Sequence, residues 1–128
     1  VNGKRELIYH TNVMMAVTQK NVIVCLDAID DKKERKSFID HVLISGKQIV
    51  KITEQQVEHF VGNMLQVLGQ DDKPITVMSQ AAYDSLTPDQ LQILEKEATL
   101  LSSDLSTIEA CGGGSARCMM AEVFLEKR

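Results

Sequence analysis

The chain has 128 residues, a net charge of -4 and a calculated pI near 5.3. No basic stripe is present to meet phosphates, which argues against a nucleic-acid partner, and no apolar run approaches the ~20 residues that cross a bilayer. Apolar content of 44% and charged content of 25% are those of an ordinary globular domain, and the length suits a single one.

In chain order, residues 7–17 (LIYHTNVMMAV) and 21–29 (NVIVCLDAI) are apolar and β-branched and predict two strands. The short polar junction Thr18-Gln19-Lys20-Asn21 pairs them as a hairpin. Asp30 or Asp31 caps a helix over 32–45, with Phe38, Ile39, Val42 and Leu43 on one face, and Gly46 stops it. The cluster Lys32-Lys33-Glu34-Arg35-Lys36 is a solvated helix face rather than a binding patch. Residues 48–52 form a short strand. Thr53 and Gln56 make a capping box for a helix over 54–61, which Gly62 ends.

The pattern then resumes. Residues 63–68 predict a strand, 69–73 a turn and 75–78 another strand. Ser79 caps a short helix over 80–85. Thr87-Pro88 opens a longer one over 88–98, with Pro at the first helical position. Residues 99–103 predict a short strand and 117–126 the last. The order amounts to about two ββαβ units, approximately 1–62 and 63–128, in one α/β domain.

Two segments carry candidate chemistry. In Cys111-Gly112-Gly113-Gly114-Ser115-Ala116-Arg117-Cys118, three glycines free the backbone ahead of a cysteine that follows a cationic arginine. Near the other end, His10 heads a second apolar run. A cysteine and a histidine, each at a strand edge, make a candidate nucleophile and general acid/base pair. Read locally, the alternatives are a buried strand cysteine and a histidine bonded to a backbone carbonyl. Cys25 reads as an inert core thiol. Cys111 reads as a small loop residue, near enough to Cys118 for oxidative pairing if the loop folds back. His41 and His59 read as surface residues on helices, and the methionines as core filler. No CxxC or histidine spacing suggests a zinc site, and no cofactor is implied. Three cysteines without a visible secretory signal favour a reducing, cytoplasmic compartment.

The segments IYHTNVMM, NVIVCLDAI, GNMLQV and TIEACGGGSARCMMAEVFL, in this order, resemble the guanidine-modifying enzymes. That superfamily includes arginine deiminases, dimethylarginine dimethylaminohydrolases and amidinotransferases. The likeness is strongest to the citrulline-utilisation hydrolase branch. It implies a pseudo-fivefold α/β propeller of ββαβ modules, of which this chain resembles the C-terminal part. It implies Cys118 as nucleophile on a guanidino carbon and His10 as general acid/base. Gly113, Gly114, Arg117, Asn12 and Asn63 become candidate substrate-binding residues. Arginine deiminases carry an aspartate where Asn12 stands, so a strict arginine-deiminase assignment is in doubt.

The resemblance leaves water or an amine as the final acceptor, hence hydrolase or amidinotransferase. A non-catalytic binding module is the alternative from another class, since a ribosome anti-association factor shares the fold without the chemistry. The resemblance also implies a truncation, a proteolytic fragment or one chain of a split enzyme. The absence of an initiator methionine agrees with the first two. Such a piece, inactive by itself, would need the missing N-terminal modules, a partner chain or a second copy to cover its open edges.

Overall fold

The structure is a computed structural model that describes residues 6–125. It has two three-stranded sheets of the same topology. In the first, β1 (Met15–Val17) pairs antiparallel with β2 (Asn21–Val24), and β2 pairs in parallel with β3 (Gln48–Lys51). In the second, β4 (Leu65–Leu68) pairs antiparallel with β5 (Pro74–Ser79), and β5 in parallel with β6 (Thr99–Ser103). A parallel neighbour requires a crossover. Helix α2 (Lys32–Ile44) supplies the first, and α4 (Gln80–Ser85) with α5 (Pro88–Glu95) the second.

The helix signals act where the residues predict. The Asp31 carboxylate accepts from the amides of Lys33 and Glu34 at 2.7 and 3.0 Å. Gly46, just past the C-cap Ser45, takes φ +79, open to a residue without Cβ. Thr53 with Gln56 and Thr87 with Gln90 form reciprocal capping boxes on α3 (Glu54–Glu58) and α5. Ser79 caps α4 through the Ala82 amide.

Strand β2 is buried along its whole length. Val22 and Val24 face α2 and pack with Val42 and Phe38. Ile23 and Cys25 point the other way, into a core shared by both sheets through Val50, Met78, Ala82 and Leu94. Both faces are covered, so β2 reads as a continuous apolar run rather than an alternating one. Cys25 is a fully buried thiol, and burial pushes its pKa up.

Polar ties fix one half against the other. The Glu97 carboxylate, between α5 and β6, accepts from the Thr18 hydroxyl at 2.8 Å, the Lys20 amide at 2.7 Å and the Asn21 amide group. Burial alone would raise the Glu97 pKa. The donors from Asn21, Thr18, Lys20 and Gln66 outweigh it and hold the carboxyl below its ordinary range. The Gln56 side chain donates to the Ser85 carbonyl and to Gln90.

Several expectations fail. Residues 7–17 are not one strand: Thr11–Met14 is a single helical turn, α1, and only 15–17 pairs as β1. The run is apolar enough for a strand, but its backbone coils so that Val13–Met15 can lie on Gly62. Likewise 21–29 ends as a strand at Val24 and continues as a 3₁₀ turn, Leu26–Ala28. Nor is 117–126 a strand. Ala116–Met119 is a 3₁₀ turn, and 120–125 runs on unpaired, with residue 126 outside the described part. Val123, Phe124 and Leu125 are 75, 87 and 84% exposed. Their composition suits a strand, but a strand needs an edge to pair with, and among the described residues they have none. Finally, the glycine-rich loop begins as a helix, α6 (Ser106–Gly112), ended by Gly113 at φ +66.

Gly62 does not end α3: the expected helix over 54–61 stops at Glu58 with His59 as C-cap, and Gly62 lies inside the following 3₁₀ turn, 61–63. A methyl group there would sit 2.4 Å from the Val13 carbonyl oxygen and under 3 Å from the Met14 and Met15 backbone. The backbones of two segments far apart in sequence touch at this point. Gly62→Ala is expected to cost about 3 kcal/mol or more in denaturant unfolding, because backbone cannot yield as a side chain does. Gly112→Ala, with open space around it, should change stability by less than about 1 kcal/mol.

Candidate active site

Residues 61–63 form a 3₁₀ turn that is buried at every position. It follows Phe60, whose backbone is left-handed, and leads into β4. The turn carries Asn63 between two segments from opposite ends of the chain. The Asn63 Nδ2 donates to the Asn12 carbonyl at 3.0 Å and to Cys118 Sγ at 3.3 Å. Its Oδ1 accepts from the Ser115 amide at 3.1 Å. That amide can only donate, which fixes the orientation of the Asn63 side chain. Asn63 is 4% exposed, so its side chain is shielded from bulk water although the Cys118 thiol it meets is exposed.

A second bond steadies the cysteine loop. The Ser115 hydroxyl donates to Glu109 Oε1 at 2.6 Å, tying the loop back to α6. Cys118 sits in the 3₁₀ turn that follows, with its amide bonded to the Ser115 carbonyl at 3.0 Å. Gly114 lies directly behind it: a methyl group there would come within 3.0 Å of Cys118 Cβ and Sγ. Cys118 is therefore held by turn geometry, not by a strand. Cys118 and Cys111 are exposed thiols, unlike Cys25.

These elements enclose a cavity of about 190 Å³. Cys118, His10, Asn12, Asn63 and Gly113 line it, together with Tyr9, Val13, Val57 and Phe60. His10 precedes the α1 turn, and its carbonyl accepts from the Val13 amide at 3.1 Å. The Tyr9 ring meets the His10 ring edge-on at 4.9 Å. The structure thus brings five of the seven predicted residues to one cavity. Gly114 is behind the thiol and Arg117 does not line the space. Adjacent residues of a 3₁₀ turn point about 120° apart, so Arg117 and Cys118 do not face the same side.

Sequence reasoning missed the apolar wall, Val57 and Phe60, because both read there as part of an ordinary helix. It also assigned Asn63 no more than a substrate contact, whereas its Nδ2 and Oδ1 are both engaged within the chain. His41 and His59 are exposed on or beside helices. Among the described residues no group of three or more His, Cys, Asp or Glu is placed to hold a metal ion, and no helix is long and apolar enough to cross a membrane.

The fold has a counterpart among solved structures. The apo structure of ArgZ, an arginine dihydrolase from the ornithine-ammonia cycle in cyanobacteria, superposes with a TM-score of 0.63 at 16% identity. The match covers 86% of this chain but only 16% of that one, so the chain spans about a sixth of that enzyme's length. Residues 1–125 match the family described as N,N dimethylarginine dimethylhydrolase, eukaryotic. The chain belongs to that family, and with it to the guanidine-modifying superfamily. No curated protein matches it.

Asn63→Ala removes both donors and the acceptor at once, leaving the Asn12 carbonyl and the buried Ser115 amide without their partner. It is expected to destabilise by about 2–4 kcal/mol in denaturant unfolding. Iodoacetamide should react several-fold more slowly at Cys118 and unchanged at Cys111, as read by peptide mass spectrometry.

Proposed function

We infer that the chain is the C-terminal part of a cysteine-dependent hydrolase acting on a guanidino-type substrate, arginine or a derivative. The observation that carries this reading is the shared cavity: an exposed thiol and an imidazole face one space, with an asparagine donating to the sulfur. Family membership and the ArgZ likeness agree with it.

In this reading the Cys118 sulfur attacks the guanidino carbon, and its electron pair forms the C–S bond. The His10 ring delivers a proton to the departing nitrogen as the C–N bond breaks. A planar thiouronium remains on Cys118. The now neutral His10 takes a proton from water, whose oxygen attacks the same carbon. Cleavage of the C–S bond then returns the thiolate and releases a ureido product, as the remaining hydroxyl proton of the adduct passes to solvent and the C=O bond forms. The carbonyl of Gly113 and the side chain of Asn12 are the substrate contacts we assign. The Gly114 contact is a positioning one. Amidino transfer shares the first half of this sequence and differs only in the nucleophile of the second, an amine in place of water.

The two sheets correspond, in the same reading, to two of five propeller modules, approximately 1–62 and 63–128. The rest of the pocket then comes from modules that precede them or from a partner chain. The exposed Leu7, Tyr9, Val123, Phe124 and Leu125 are the surface those modules would cover. A cytoplasmic setting fits three unpaired thiols.

A cationic haloacetamidine should label the full-length protein at Cys118, and not at Cys25 or Cys111. Cys118→Ala should abolish turnover of guanidino substrates, with a loss of at least about 10³-fold. Loss of turnover in Cys25→Ala, with Cys118→Ala still active, contradicts the assignment. Transfer of the amidino group to an added amine selects the transferase reading.

A further inference from the structure

Phe60 stands in the left-handed region, at φ +62 and ψ +21, immediately after the C-cap of α3. Helices commonly end on a left-handed residue here, and it is usually glycine because a Cβ is strained in that conformation. A bulky aromatic in this place is an outlier, and such outliers persist where the side chain has a use elsewhere.

The core does not supply that use. Val57, one turn earlier, packs against the main core, whereas Phe60 is packed against neither core cluster. Phe60 instead lines the cavity that Cys118 and His10 also line. The backbone around it is held firmly: the Phe60 amide donates to the Val57 carbonyl at 3.0 Å, and the Phe60 carbonyl accepts from the Asn63 amide at 2.9 Å. The same short turn therefore sets both the ring and the asparagine that contacts the sulfur.

The cavity wall contributed by the described residues contains no aspartate or glutamate. The polar side chains that line it are the imidazole of His10, the carboxamides of Asn12 and Asn63, the Cys118 thiol and the phenol of Tyr9. A delocalised planar cation entering it meets no carboxylate on this side, and an aromatic face is the remaining group that attracts such a cation.

We propose that Phe60 is a specificity-determining residue, whose ring stacks against the planar cationic centre of the substrate and selects it over an uncharged isostere. This rests on the guanidino reading of the site. Backbone strain at Phe60 is then retained because glycine, the residue its conformation favours, has no ring.

The test compares two reagents at Cys118 in the full-length protein: chloroacetamidine, a planar cation, and chloroacetamide, its neutral counterpart. The wild type should prefer the cation. Phe60→Gly should lower that preference about 5- to 10-fold, with the chloroacetamide rate within twofold and the thermal midpoint unchanged or raised. Phe60→Leu, apolar without a π face, should lose the preference as well, and Phe60→Tyr should keep it. A preference that survives in Phe60→Gly and Phe60→Leu overturns the role of the ring while leaving the guanidino reading intact. An equal fall with both reagents also overturns it, since the ring would then only shape the loop. A wild type with no cation preference and no turnover of guanidino compounds overturns both.

Discussion

The site depends on one buried carboxamide. Asn63 is a residue with two donors and one acceptor that meets three partners, drawn from two segments at opposite ends of the chain. One N–H holds the backbone just after His10. The other N–H meets the sulfur of Cys118, and the oxygen holds the amide that opens the cysteine loop. No aliphatic residue of similar size can do this, and an aspartate can accept but not donate. Because the group is shielded from water, its bonds are stronger than exposed ones and their loss is more costly. Residues separated by more than a hundred positions in sequence become neighbours through a single side chain.

That clamp works only because its platform is rigid. The turn carrying Asn63 is buried against the common core through Val61 and Met64. Gly62 lets the 13–15 backbone rest on it directly. Farther off, Glu97 gathers the β1–β2 turn with three donors, and Gln56 and Gln90 join α3 to α5. These ties set one sheet against the other, so the two halves of the cavity are held at fixed separation. The thiol itself is placed by short-range geometry: Gly113 turns the chain out of α6, Glu109 anchors Ser115, and Gly114 leaves room behind the sulfur.

Much of this was legible in the sequence because it is written in local rules. Asp31, Thr53, Ser79 and Thr87 cap helices by hydrogen bonds three residues long, and those signals need no tertiary context. The alternating supply of strands and helices implied a mixed α/β chain. His10 and Cys118 stood out first through their neighbours, the apolar run that His10 heads and the glycine run with Arg117, and the family resemblance then implied their roles. What stayed hidden was decided by contact at a distance. Residues 11–14 coil because Gly62 and Asn63 receive them, which composition cannot reveal. Residues 120–125 carry the apolar types of a strand but lack a pairing edge. The helix 106–112 was obscured by the glycines that follow it, since Gly112 still fits inside the last turn and only Gly113 leaves it. Phe60 read as helix because nothing local announces a left-handed phenylalanine.

The most direct test is whether positions 10 and 118 face each other across the cavity. With Cys25 and Cys111 replaced by alanine, His10→Cys would leave two thiols, one at each position. Dibromobimane becomes strongly fluorescent only when both of its arms have reacted with thiols close together. The account predicts rapid fluorescence and one intramolecular species joining the peptides that contain 10 and 118. Two thiols that each react with iodoacetamide but are never bridged by the short reagent would contradict it.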